Sequence, residues 1–523
     1  MKHQSYTAKI AKNSFWATGS FIVASICNFV MSVAITRYFG KEVYGQYSYF
    51  LWLSGVFGIL AGFGFQQTLN KFLPKYFFAH DSADRTGKST ASGIFRKLLG
   101  VQVVGAIAVA ALSIAAARYF AQLINFDHPQ KNTMVIIAFL AMIPFSLNTF
   151  LSSSLAAIQE FKSASKIYIG TTLLNLIMVI IFVTTSRDIV SFLWLYLGLS
   201  AVSSGILLHH TGKIFKTDKK TPPAQKGNPG RHEKLFAYSA FAYISIICTQ
   251  IVWERSELLF LGMFSDSSQI AIYTLSYSLA VLFISVWGPV NSVLNATTAE
   301  VAQSGKDDKL MMITQHGTKY MAMLMLPLAL LASLFLGDVV TLVYGKSFAD
   351  AAMLFPFLVV AHAMAVIITP AGSIPMLKNE MKKSMYFNIT TAAVNILLDI
   401  YLIAKYQAVG AMLANVISQG VSIMLSLINA KKYRLGIFNK NMIKVLIINF
   451  CVGTIFFLIL PLPLIVRIII ALAVTTIYAV VTIKTALNLR DADILTTLKT
   501  HLPKPLRWIT EKITHQIPRN TQT

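Results

Sequence analysis

Apolar residues run in fourteen long blocks along this 523-residue chain, separated by short polar or basic turns. The blocks span approximately Ser14–Ile35, Tyr47–Phe65, Leu98–Ala117, Thr133–Ala157, Ile167–Thr184, Ile189–Leu208 and Phe236–Met263. Seven more follow at Ile270–Val293, Tyr320–Leu336, Ala351–Met376, Met385–Ile403, Ala408–Leu427, Lys444–Leu460 and Leu464–Ile483. Most reach or approach the ~20 residues that carry a helix across ~30 Å of hydrocarbon. The short alternating segments of a strand barrel are absent from the pattern. The expected fold is an all-α membrane protein with fourteen transmembrane helices.

Charge fixes the expected direction of each span. Loops on one side of the alternation hold 36 Lys and Arg, those on the other side hold 8, and Arg255 stands inside a block. Cations oppose translocation, so the basic loops and both termini are expected in the cytoplasm. The first block is too long for a usual signal core and is read as a retained helix. Composition agrees: 55% of residues are hydrophobic and 13% charged, and mean hydropathy is +0.62. A net charge of +24 would suggest nucleic acid in a soluble chain. Here the excess lies in loops that meet anionic headgroups.

The Pro-, Gly- and Lys-rich stretch KKTPPAQKGNPGR reads as a solvated linker. It divides the chain into an N-lobe of six helices (1–210), the linker (211–235), a C-lobe of six (236–430), two further helices (431–485) and a basic tail (486–523). The tail's Leu506, Trp508, Ile509, Ile513 and Ile517 fit either an amphipathic interfacial helix or a solvated tail. Ser153, Glu160, Lys162, Thr171 and Asn175 recur 220 residues later as Ser373, Glu380, Lys382, Thr391 and Asn395. Six helices per half give the two copies the same orientation, a parallel repeat whose lobes would enclose a cleft and rock in alternating access.

Ionisable groups at membrane depth cost about 2.5–3.5 kcal/mol each on insertion scales, so they mark cavities or partners. The seventh block carries Glu254, Arg255 and Glu257. Glu254 and Glu257 share a helix face; Arg255 and Glu257, two apart, do not. Asp399 on the eleventh block is a candidate partner for Arg255. It lies on one face with Asn388, Thr391 and Asn395, either as a wall contacting a polar headgroup or as part of an interhelical ion pair. Asn291 with Asn295, and Asn415 with Gln419, are four-residue polar pairs that suit either sugar contact or interhelical hydrogen bonding. The candidate substrate-binding residues are therefore Arg255, Asn388, Asn395 and Asn291. The coupling or ion-pair candidates are Glu254, Glu257, Asp399 and His362, whose imidazole titrates near neutrality. Pro370 and Pro375 flank Gly372 and mark a bending point or a static kink.

No nucleotide-binding, zinc-protease or serine-hydrolase signature occurs, and Cys27, Cys248 and Cys451 have no metal-ligand spacing. No catalytic or metal site and no cofactor is expected. Outer loops too short for a catalytic domain also exclude a membrane glycosyltransferase with such a domain.

Four stretches carry a family resemblance. NSFWATGS…AITRYFGKEVYGQYSYF resembles the first helix pair of bacterial polysaccharide-biosynthesis membrane proteins, the O-antigen and oligosaccharide-lipid flippases, with Phe39 where their turn has Leu. RSELLFLGMFSDSSQIAIYTLSYSLA is similar to their seventh-to-eighth helix pattern; Arg255, Glu257, Gly262 and Tyr273 occupy its positions, Glu replacing the usual Asp. VVTLVYGKSFADAAMLFPFL resembles the turn before their tenth helix. AKYQAVGAMLANVIS resembles PKYGIIGAAIATVIS, with Gln407 and Val409 departing from it. The resemblance covers roughly residues 14–485. It implies a two-lobed transporter of the multidrug/oligosaccharidyl-lipid/polysaccharide exporter superfamily in the bacterial inner membrane, with a MATE-like fold. It further implies an undecaprenyl-pyrophosphate-linked oligosaccharide as substrate, surrounding lipids, and polymerase or chain-length proteins as partners. Arg255 would then neutralise pyrophosphate. Alternatives are a multidrug exporter driven by H+ or Na+, a lipid II flippase, and a non-transporting scaffold for polysaccharide assembly.

Overall fold

The computed structural model describes residues 2–78, 86–185, 188–216, 256–288, 307–372, 374–377 and 380–487, with isolated positions between 239 and 301. Among these residues every regular element is a helix, and eleven helical segments are long and apolar enough to cross a membrane. Two of the eleven are far too long for one crossing. Trp16–Leu60 has 45 residues and Lys382–Lys432 has 51, against the ~20 that suffice at ~1.5 Å rise per residue. Each is broken inside, at Gly40 (φ 80°) and at Gln407 (φ 52°), and comprises two spans. The described residues thus hold thirteen of the fourteen expected crossings. The seventh lies mostly outside them. Large apolar side chains cover the outside, among them Phe450, Phe457, Leu472 and Leu112, each more than 60% exposed. In water such a surface would aggregate; in lipid it is the solvated face.

Contacts divide the chain into two compact units, Met1–Thr274 with Asn395–Ala414, and Leu275–Val394 with Asn415–Thr523. The first holds α1 (Lys2–Leu60), α2 (Phe65–Phe77), α3 (Thr86–Ala115), α4 (Ala117–Leu123), α5 (Lys131–Ala157), α6 (Phe161–Thr185), α7 (Ile189–Ile214) and α8 (Glu257–Phe264). α5 is its core helix. It packs on α1, α2, α3 and α7, and Met134, Val135, Phe139 and Met142 along it are fully covered. The amphipathic α2 interrupts the pattern of crossings. Phe65, Thr68, Leu69 and Leu73 point inward while Gln66, Gln67, Asn70 and Lys71 are exposed, the arrangement of a helix on a boundary. α7 starts where Asp188 accepts from the backbone N–H of Val190 and Ser191, satisfying donors that the first turn leaves open.

α9 (Ser267–Ser285) runs from the first unit into the second. There follow α10 (Asp307–Val343), α11 (Ala349–Gly372), α12 (Ile374–Leu377) and α13 (Met381–Leu398), which ends in a π turn at Asp399–Ile403. α14 (Ala404–Lys432), α15 (Lys440–Ile459) and α16 (Leu464–Ala486) complete the chain. The last two helices are fastened to α10. Arg467 donates to the Leu334 carbonyl (3.0 Å) and to Asp338 (2.8 Å). Tyr478 donates to the Met323 carbonyl at 2.8 Å, and Asn449 donates to Tyr478 at 3.3 Å. Arg467, which a count along the sequence assigns to an outer loop, is only 8% exposed.

Two recurring positions play the same local part in each half. Glu160 and Glu380 stand one residue before α6 and α13, each taking a bond from the side chain three residues on, Ser163 or Lys383. Thr171 and Thr391 each donate to the carbonyl four residues back, at 2.9 Å.

Candidate functional site

The polar stripe on α13 becomes drier along its length. Asn388 is half-buried, Thr391 is 3% exposed, and Asn395 and Asp399 are fully buried. Thr391 spends its hydroxyl on its own helix, so Asn395 and Asp399 are the polar ends left to face a neighbour. Within the first unit that neighbour is the start of α8. Ser256 Oγ lies 3.1 Å from Asn395 Oδ1 and 3.3 Å from Asp399 Oδ2. One hydroxyl has one proton, so it serves only one of these acceptors at a time. Glu257, next along the chain and fully buried, is close enough to Asp399 for the two carboxylates to repel.

Asp399 also opens the π turn, a wide turn that often marks a functional position. Its Oδ1, and Asn395 Nδ2, are buried with no hydrogen-bond partner among the described residues. Two carboxylates, an amide and a hydroxyl in one dry region favour an added positive charge: a proton, a monovalent cation or a guanidinium. Among the described residues no group of three or more His, Cys, Asp or Glu is arranged to hold a metal ion.

Arg255, Glu254 and Asn291 lie outside the described residues. The structure brings Glu257, Asn395 and Asp399 together and leaves Asn388 further along the stripe. His362 belongs to a different cluster, in the second unit. There it meets Gln419 of α14 and the ring of Tyr277 on α9, with centroids 5.1 Å apart. At the proposed bend α11 ends at Gly372 and α12 begins at Ile374, carrying a buried Pro375.

Two features escaped the sequence. The first is Ser256, which stands inside the charged run between Arg255 and Glu257 but has no polar spacing to single it out. The second is an apolar groove of about 730 Å³ in the second unit, lined by Leu330 and Leu334 of α10, Phe357 and Met364 of α11, and Phe450 and Phe457 of α15. Uniformly apolar helices do not reveal which of their faces part. The motif glycines, by contrast, have packing reasons. A side chain on Gly45 would strike the Ser267 carbonyl, and one on Gly262 would strike the Tyr49 ring. Gly262 also accepts from the Asn125 N–H at 2.7 Å.

The family model described as polysaccharide biosynthesis protein matches residues 10–295. No curated protein matches in a sequence comparison. Among solved structures, the lipid II flippase MurJ in an inward closed conformation aligns with a TM-score of 0.65 at 15% identity, covering 89% of this chain and 98% of that one. An inward-facing multidrug resistance MATE family transporter of the MOP superfamily aligns at 0.62 and 13% identity, covering 79% and 94%. A MOP superfamily transporter from Pyrococcus furiosus aligns at 0.57 and 14% identity, covering 82% and 95%. At such identities the likeness establishes a shared fold: a multi-pass helical membrane protein.

Proposed function

This chain belongs to the polysaccharide biosynthesis protein family, and from that premise we propose that it is a flippase for a lipid-linked oligosaccharide. The cargo is an undecaprenyl-pyrophosphate-linked repeat unit of a surface polysaccharide or O-antigen. It moves from the cytoplasmic to the periplasmic leaflet of a bacterial inner membrane by alternating access. The protein makes and breaks no covalent bond. The observation that carries this reading is the family match over residues 10–295. Both termini lie in the cytoplasm, which the 36-to-8 division of loop cations supports.

Arg255 neutralises pyrophosphate, while Asn388, Asn395 and Asn291 offer amides to sugar hydroxyls. The apolar groove on the second unit supports passage of a polyprenyl tail that stays in lipid. Energy enters through the Glu257–Asp399 pair, which takes up H+ or Na+ and gives it up as the helices rearrange. Pro370, Gly372 and Pro375 supply the bend. Polymerase and chain-length proteins draw off the product on the far side.

The decisive experiment deletes the protein in a strain without a redundant transporter and follows labelled undecaprenyl-linked sugar leaflet by leaflet. The reading expects accumulation in the cytoplasmic leaflet; normal periplasmic arrival overturns it. A second reading, an ion-coupled exporter of cationic drugs, is favoured by the same buried carboxylates. It predicts efflux of an organic cation, lost in Glu257→Gln, with unchanged oligosaccharide movement.

A further inference from the structure

The break between α1 and α2, in the first unit, borders a space that the transport reading leaves unused. α1 ends at Leu60, and the chain turns through Phe63 (φ 47°) and Gly64 (φ 70°) before α2 begins at Phe65. Beside this turn lies a groove of about 580 Å³, walled by Phe63 and Phe65, by Val101, Val104 and Gly105 of α3, and by Tyr243. A Cβ on Gly105 would strike the Phe63 ring that forms one wall. The groove opens toward the surrounding hydrocarbon. Val104 is 69% exposed, and a Cβ on Gly100 would meet nothing within 4 Å.

The walls decide what fits. Tyr243 donates its hydroxyl to the Leu60 carbonyl at 2.6 Å, and Ser239, also on the wall, lies 2.6 Å from the Thr68 hydroxyl. Polar tips so engaged leave ring and methylene surface, which suits a hydrocarbon chain. Charge gathers at one end of the groove. Lys97 stands three, four and seven residues before Gly100, Val101 and Val104, so it shares their face of α3. Arg96, four before Gly100, is exposed like Lys97. It gives one N–H to the Phe215 carbonyl at 3.3 Å, and a guanidinium carries five. α2, which packs on α3, turns Gln66, Gln67, Asn70 and Lys71 outward, as a helix at the headgroup boundary does.

We propose that this groove binds one anionic phospholipid of the cytoplasmic leaflet, an acyl chain lying between Phe63 and Val104 and the phosphate meeting Lys97 and Arg96. The choice of leaflet rests on the topology that the loop cations support. From Lys97 to Val104 α3 rises about 10 Å, within the ~15 Å that one leaflet contributes to the hydrocarbon. That depth matches an acyl chain and falls far short of a polyprenyl tail. A zwitterionic lipid offsets its phosphate with its own ammonium, so it gains less from two cations. Each cation near the surface is worth about fivefold in binding an anionic lipid. The bound chain packs on the Phe63 ring and holds the α1–α2 break in place.

The test needs no cargo. Full-length protein in phosphatidylcholine nanodiscs receives a trace of phosphatidylglycerol with a diazirine on its acyl chain, and photolabelled peptides are mapped by mass spectrometry. Phe63, Val101 and Val104 should be labelled about fivefold or more above the level given by diazirine phosphatidylcholine. Lys97→Gln should lower the phosphatidylglycerol signal about fivefold while Lys97→Arg keeps it, and neither should move the phosphatidylcholine signal. Val104→Trp, which fills the groove from an exposed position, should abolish labelling of Val101 at an unchanged melting temperature. Equal labelling by the two lipids, indifference to Lys97→Gln, or wild-type labelling of the Val104→Trp variant each overturns the proposal. So does displacement by undecaprenyl phosphate at a lower mole fraction than by unlabelled phosphatidylglycerol, which would make the groove a cargo site. Because nothing is transported in this assay, its failure leaves the leaflet-by-leaflet measurement of cargo to decide the transport reading.

Discussion

Single side chains decide how much charge this protein keeps inside a membrane. Breaking a buried ion pair costs about 3–5 kcal/mol when both partners are dry. The Asp338 side chain, however, is 37% exposed, so solvent screens part of that attraction. Arg467→Ala should therefore destabilise by on the order of 2 kcal/mol, and a double-mutant cycle with Asp338→Ala should show most of it as coupling in a thermal-shift assay. Glu257 and Asp399 are a different case, because neutralising one of two repelling carboxylates removes a cost as well as a charge. Asp399→Asn should raise or preserve stability yet cut cargo movement by about tenfold or more; unimpaired transport at normal protein levels would remove the pair from the mechanism. Glu257, Asn395 and Asp399 could be found in the sequence because charge and amide are conspicuous among apolar neighbours. Ser256 could not, since a serine in a helix usually bonds its own backbone, as Ser54, Ser146 and Ser154 do here.

At the scale of elements, the informative places are where helices stop. Gln407 breaks the long α13–α14 run at φ 52° and ψ −126°, a conformation that glycine adopts freely and other residues only under strain. The resembling family pattern has glycine at this very position, so Gln407→Gly should stabilise the protein by about 1–2 kcal/mol, seen as a higher melting temperature with an unchanged fold. A lower one would mean that the Gln407 side chain supplies an interaction worth more than the strain. At the opposite end of α13, Glu380 holds Lys383 and lies 3.8 Å from Lys432. The Lys383 hydrogen bond, then that of Tyr433, holds the Glu380 carboxyl below its ordinary range. A carboxyl depressed on folding stabilises the fold above its unfolded pKa and loses that contribution as pH falls through the folded one. Wild type should thus exceed Glu380→Gln in stability at pH 7, with the gap closing below the normal carboxylate range; a gap that persists in acid would show the contact to be uncharged packing. Apolar block lengths made the crossings legible, because lipid admits few alternatives to helix. The π turn at Asp399 was not legible, since a one-residue widening leaves no trace in hydropathy.

For the whole molecule, apolarity is a poor guide to which surfaces meet lipid and which meet cargo. The helices of the second unit are apolar on nearly every face, so the groove between α10, α11, α14 and α15 emerges only from how they are set apart. Gly453 lies on its wall, and a Cβ there would stand 3.3 Å from Leu330, tight enough that a bulky residue must project into the open space. If the groove guides a polyprenyl chain, Gly453→Phe should slow movement of an undecaprenyl-linked sugar several-fold while sparing the same headgroup on a short prenyl anchor. The comparison separates guidance from damage, because a misfolded variant would lose both substrates. Equal rates for both anchors in the variant and in wild type would instead make the groove a site for ordinary membrane lipid. The flippase reading would then rest on the polar cluster of the first unit, where the headgroup alone is recognised.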